Sequence, residues 1–197
     1  MNYLAHLLLA DHTDASRIGN LLGDFAKGSL AELRKTYPND LVLGIEMHRA
    51  VDKFTDSHPT FKKSRSLLAP ERSRFAGIII DILYDHFLAK NWAKYAETPL
   101  DIFTQEVYQA LERHPEWHAG RLAEILPSLK NDDWLMNYRS VEGIAYTLQR
   151  VSMRSPGISP IAGGIHDLKK HYSELETIFH EFMPELIYFS DQWKQTK

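Results

Sequence analysis

Phe75-Ala-Gly-Ile-Ile-Ile-Asp81-Ile-Leu-Tyr-Asp85-His86-Phe-Leu-Ala-Lys-Asn-Trp92 is the stretch whose reading decides the fold. Apolar residues occur all round it at helical spacing. The segment therefore reads as a helix buried through the middle of a domain, the longest of the chain, over 72–95. Asp81 and Asp85 share one face of that helix, flanked by Ile78, Leu88 and Trp92. Buried carboxylates are costly unless a metal or another cation compensates them. That face is therefore expected to serve a metal or catalysis, with His86 on a neighbouring face as a ligand or the partner of one.

Upstream, Gly44-Ile-Glu-Met-His48-Arg49-Ala-Val-Asp52-Lys-Phe-Thr-Asp56 carries His48, Asp52 and Asp56 at successive i, i+4 spacings. On a helix they form one ridge, and Arg49 sits about 100° round from His48. An imidazole followed one turn later by a carboxylate can close on a single divalent cation of the Mn²⁺, Fe²⁺, Mg²⁺ or Zn²⁺ type. A capped, solvated helix end is the plainer alternative for this stretch. Leu43, Met47, Val51 and Phe54 make the core-facing stripe, which sets the ridge at the edge of the core, as a cleft requires.

Further towards the start, Gly19-Asn20-Leu-Leu-Gly23-Asp24-Phe25 lies in a helix expected over 14–28. Its two glycines let another backbone approach closely, and a carboxylate at such a contact points to a site. The first helix, over 2–10, holds His6 among leucines. A core histidine bonded to a backbone carbonyl is the ordinary reading of that residue, with a ligand role beside it.

Downstream, Pro59 opens a helix bearing Lys62, Lys63 and Arg65, with Arg72 and Arg74 beyond, a basic patch or else a solvated face. Helices follow near 99–114, 117–127, 131–138 and 140–154. Their aromatics read as packing. Arg150 and Arg154, four apart, suit either a phosphate or acidic neighbours. Residues 155–164 read as a loop, 165–183 as a long helix, and Pro184 as its end. His166-Asp167 reads as charge at a helix start. No strand alternation or repeat appears, so the class is all-α: a single-domain multi-helix bundle over 1–197.

Composition agrees. The chain has 197 residues, 44% hydrophobic and 25% charged, an ordinary globular balance. Without cysteine there is no disulfide or thiolate metal site, which fits a cytoplasmic protein. A net charge of −3 gives no bulk attraction for nucleic acid, and no segment is apolar enough to span a membrane.

As an ordered set, Asn2-Tyr-Leu-Ala-His6, Gly19-Asn20-Leu-Leu-Gly-Asp24-Phe25, Met47-His48-Arg49-x-x-Asp52-x-x-x-Asp56 and Asp81-x-x-x-Asp85-His86-Phe87-Leu88 resemble the bacterial acyl carrier protein phosphodiesterase family. The likeness runs nearly end to end and is looser in the second half. It implies an all-helical, HD-domain-like fold, diverged from the metal-dependent phosphohydrolases of that name. It implies hydrolysis of 4′-phosphopantetheine from holo acyl carrier protein to give the apo form. The implied cofactor is a divalent metal, Mn²⁺ first, with Mg²⁺ or Fe²⁺ as alternatives. The resemblance carries the site to His6, Asp24, His48, Asp52, Asp81, Asp85 and His86, the first six as expected metal ligands. By their chemistry Asp24, His48, Arg49 and His86 are the expected catalytic residues, with an unligated His48 or His86 as the acid and Arg49 on the phosphate charge. The adjacent His-Asp pair of the parent superfamily is split here as His48 and Asp52, and Asp85-His86 runs in the opposite order. An HD-like phosphohydrolase acting on a nucleotide and a non-catalytic helical binding module are the competing readings.

Overall fold

The structure is a computed structural model that describes residues 1–118 and 120–197. Among these it contains twelve α-helices joined by turns and short 3₁₀ segments, and no strand. In chain order they are α1 (Tyr3–Leu9), α2 (Asp14–Leu22), α3 (Leu30–Leu33), α4 (Asn39–Ser57), α5 (Pro59–Ser66), α6 (Ala76–Lys90), α7 (Leu100–Arg113), α8 (Arg121–Asn131), α9 (Trp134–Asn137), α10 (Val141–Ser152), α11 (Gly164–Lys170) and α12 (Tyr172–Gln195).

Helix α6 runs through the middle, as its all-round apolarity demands. Ile79, Ile80, Leu83, Tyr84, Phe87 and Leu88 are fully buried, and Tyr84 and Phe87 pack on Phe179 of α12. It is not the longest helix. Its first turn is the 3₁₀ segment Pro70–Phe75, and the longest is α12, with 24 residues. Pro184 does not end α12. Phe179, Phe182, Met183 and Leu186 are buried on both sides of it, and that packing outweighs the one backbone bond a proline forfeits. The expected loop at 155–164 is largely a 3₁₀ helix, Pro156–Gly163. Its two prolines already hold the φ such a helix needs. Asp167 is more than helix-start charge. It is buried and takes Arg72 Nε at 2.6 Å and Nη2 at 3.0 Å, which withdraws Arg72 from the exposed basic patch.

The contact that positions the site is the crossing of α2 over α4. A side chain on Gly19 would collide with the Leu41 carbonyl oxygen, and a Cβ on Gly44 would lie 2.7 Å from the Ser16 oxygen. The two backbones therefore touch at a pair of glycines. This turns α4 inward: Leu41, Ile45 and His48 become fully buried, while Leu43 and Phe54 are only partly covered. The ridge expected at the edge of the core starts inside it, and only Asp52 and Asp56 reach the rim.

Alanine at Gly44 has no room, so Gly44→Ala should lower stability by about 1–3 kcal/mol, seen as a drop in thermal midpoint. Gly77, also helical, has nothing near where its Cβ would be, so Gly77→Ala should be neutral or slightly stabilising.

Candidate metal centre

His48 is set by the glycine crossing. A Cβ on Gly23 would run into its ring, and its Nδ1 donates to the Asn20 carbonyl at 2.7 Å. With Nδ1–H committed to a carbonyl, Nε2 is the nitrogen left for other partners. It faces Asp52 Oδ2 at 3.1 Å and Asp24 Oδ1 at 3.5 Å. The His6 ring from α1 stacks on it at 3.7 Å between centroids, and His6 Nε2 lies 3.1 Å from Asp52 Oδ1. One carboxylate thus spans two imidazoles, one oxygen to each. His6 Nδ1 is buried without a partner, so His6 makes no backbone-carbonyl bond.

The electrostatics follow from this packing. Burial works against the cationic form of both rings. For His6 burial prevails, helped by the neighbouring His48, and its pKa is pushed down to about 4. For His48 the bonds to Asp24 and Asp52 outweigh burial and push the pKa up to about 9. Asp52 is also resisted by burial, yet the two histidines hold it far below the carboxylate range. Asp24 is lowered too, because the His48 bond overcomes its burial. The Met1 α-ammonium lies 2.9 Å from Asp81 and 3.5 Å from Asp52, so this group of acids already gathers positive charge.

Ligand atoms of His6, His48 and Asp52 all lie within 4.8 Å of one another, a nitrogen and oxygen set that fits a borderline divalent cation. The Asn20 carbonyl supplies the outer support that fixes a ligating imidazole. A cation would have to displace the Nε2 proton that each imidazole points at Asp52, so metal and proton compete there.

A sequence model of the family described as acyl carrier protein phosphodiesterase matches residues 1–186. The chain belongs to that family. Acyl carrier protein phosphodiesterase from Photorhabdus laumondii is 36% identical over 188 residues, covering 95% of this chain and 93% of the relative. The proteins of that name from Pectobacterium atrosepticum and Yersinia enterocolitica are 34% and 36% identical, each over 95% of this chain and 96% of the relative. No solved structure gives a significant match.

The residues that the family resemblance singled out divide into those brought together and those held apart. His6, His48 and Asp52 converge, with Asp24 beside them in the turn after α2, which ends at Leu22 rather than near 28. Asp81 stands next to this group through the Met1 ammonium. Asp85 is not delivered to the histidines. Both its oxygens accept backbone N–H groups, Leu4 at 2.7 Å and Ala5 at 3.2 Å, so it caps α1, the helix bearing His6. Burial pushes its pKa up to about 7, with those N–H bonds working the other way. Its partner among the described residues is a helix end.

His86 is also held apart: Nδ1 donates to the Tyr138 carbonyl at 2.8 Å, and Nε2 meets the Tyr172 hydroxyl at 2.9 Å. Burial favours its neutral form. Arg49 donates to the carbonyls of Ala26 and Gly28 at 3.0 and 3.2 Å, and so shapes the turn that carries Asp24.

A cavity of about 380 Å³ is lined by Asp24 and Asp81 together with Arg121, Arg150, Arg154 and Trp134. Sequence reading gave Arg121 and the Asn20 carbonyl no part in the site. A backbone oxygen leaves no sequence signal, and Arg121 lies far along the chain from the histidines. His48→Ala and Asp52→Asn should weaken Mn²⁺ binding at least tenfold in titration, whereas His86→Ala should leave it unchanged and lower the thermal midpoint. Unaltered binding in both cluster variants would remove the pair as ligands.

Proposed function

We propose that this chain hydrolyses the phosphodiester of holo acyl carrier protein, releasing 4′-phosphopantetheine and the apo protein, with a divalent cation held by His6, His48 and Asp52. The observation that carries this is the carboxylate of Asp52 spanning two stacked imidazoles beside Asp24, in a chain of this family. The names of the relatives support the substrate. The HD-like ancestry rests on the gathering of imidazoles and carboxylates from separate helices, together with the split motif order. Mn²⁺ is the first choice of metal, because mixed nitrogen and carboxylate donors without sulfur suit it.

When bound, the cation supplies Lewis acidity towards a phosphoryl oxygen and makes a water acidic enough to attack. The chain's own residues do the rest. Asp24, ionised and half-exposed at the cavity wall, is placed to take a proton from the attacking water. The bond that forms joins the water oxygen to phosphorus and the bond that breaks joins phosphorus to the serine oxygen of the carrier, since the phosphate leaves with pantetheine; the proton taken by Asp24 passes to that serine oxygen. Arg49 is a positioning residue that acts through the turn it shapes. Asp85 acts similarly through α1. His86 joins α6 to α12 rather than serving as the acid.

An acidic carrier protein would meet the exposed face formed by Lys62, Lys63, Arg65 and Arg74. Arg72 is excluded by its pair with Asp167.

Incubation with holo carrier protein and Mn²⁺ should give a carrier lighter by one phosphopantetheine in mass spectrometry. Chelation or Asp24→Ala should abolish the loss. Retained turnover in Asp24→Ala would remove Asp24 from the chemistry. Reversing Lys62 and Arg65 to Glu should raise KM at low salt with little change in kcat, and salt should do the same to wild type, because exposed charges are screened beyond about 8–10 Å. A normal KM in the reversed variant would move docking elsewhere.

A further inference from the structure

The cavity beside the candidate metal cluster is lined by side chains of both signs: Asp24 and Asp81, and Arg121, Arg150 and Arg154. Among the described residues, the arginine ion pairs are those of Arg17, Arg34, Arg72 and Arg113, so the three cavity arginines have no carboxylate partner. Arg150 is partly buried, its guanidinium 3.3 Å from the centroid of the Trp134 ring and 5.5 Å from that of Tyr146. The aromatic stack fixes the fork and leaves its N–H groups free for a ligand. Burial disfavours the charge of Arg150, and nearby Arg154 adds to this, a cost that a bound anion would offset.

Apolar wall is also present. Ile78, 45% exposed although it belongs to the central helix, stands at the cavity with Ile82 and Ile158. A volume of about 380 Å³ lies within the usual range for small-molecule sites, roughly 300–1,000 Å³.

We propose that this cavity receives the phosphopantetheine arm, with Arg150, Arg154 and Arg121 holding its phosphate and the isoleucines covering its branched alkyl end. The assignment rests on the phosphodiesterase reading above and extends it to substrate recognition. It makes the arginines specificity residues: they select a phosphate-bearing arm, and the cavity distinguishes that arm from the carrier protein that bears it. Planar guanidiniums suit phosphate because each offers two parallel N–H donors.

The test is calorimetric titration of the full chain with three probes: 4′-phosphopantetheine, pantetheine lacking the phosphate, and apo carrier protein. Wild type should bind the phosphorylated arm. The double variant Arg150→Gln/Arg154→Gln should lose that binding at least tenfold, while its weak binding of pantetheine and its affinity for apo carrier protein stay unchanged. Arg121→Gln, at an exposed position, should show a smaller loss in the same direction and guards against misfolding of the double variant. Equal binding of 4′-phosphopantetheine by wild type and both variants would overturn the proposal. So would a selective loss of apo carrier binding, which would make the arginines a docking surface. Arginine-dependent binding of the arm in a protein that never cleaves holo carrier would uphold the cavity and defeat the hydrolytic reading.

Discussion

Everything at the site depends on two helix backbones touching at Gly19 and Gly44. Any side chain at either position would force α2 and α4 apart. With the helices in contact, the Asn20 carbonyl reaches the His48 ring, Gly23 makes room for that ring, and Asp24 emerges beside it. A buried imidazole needs a partner for its N–H, and the backbone of α2 supplies one. The free nitrogen is thereby aimed at Asp52, and the stacked ring of His6 completes the group.

The electrostatics of the cluster are those of a place short of positive charge. Four carboxylates surround the two imidazoles or lie just beyond them: Asp24 and Asp52 in contact, Asp81 at the Met1 ammonium, and Asp85 capping α1. One ring is held neutral and the other cationic by surroundings that differ chiefly in how many carboxylates each ring meets. Two imidazoles and a carboxylate with partly compensated charge are what a divalent cation would complete. The proposed cation and the cavity arginines would then share a phosphate.

Much of this was legible in the sequence. The all-round apolarity of 75–92 announced a helical core, and Gly19 announced a close backbone approach, whereas Gly23 makes room for the His48 ring rather than for a backbone. The i, i+4 spacing of His48 and Asp52 placed both on one ridge. Asp85 and His86 were harder to read: their buried polarity is satisfied by the start of α1 and by Tyr138 and Tyr172, partners 52 to 86 residues away in sequence. Spacing can show that a buried carboxylate needs compensation without showing whether a metal or a helix end provides it. Pro184 misled for a related reason, since local backbone preference carries no information about the packing around it.

The most direct measurement is the anomalous scattering of a crystal grown with Mn²⁺. A single strong peak coordinated by His6 Nε2, His48 Nε2 and Asp52 is the expected result, with Asp24 at its edge and Asp85 and His86 outside its reach. A peak held instead by Asp81 and Asp85, or no peak while the histidines keep their bonds to Asp52, would contradict it.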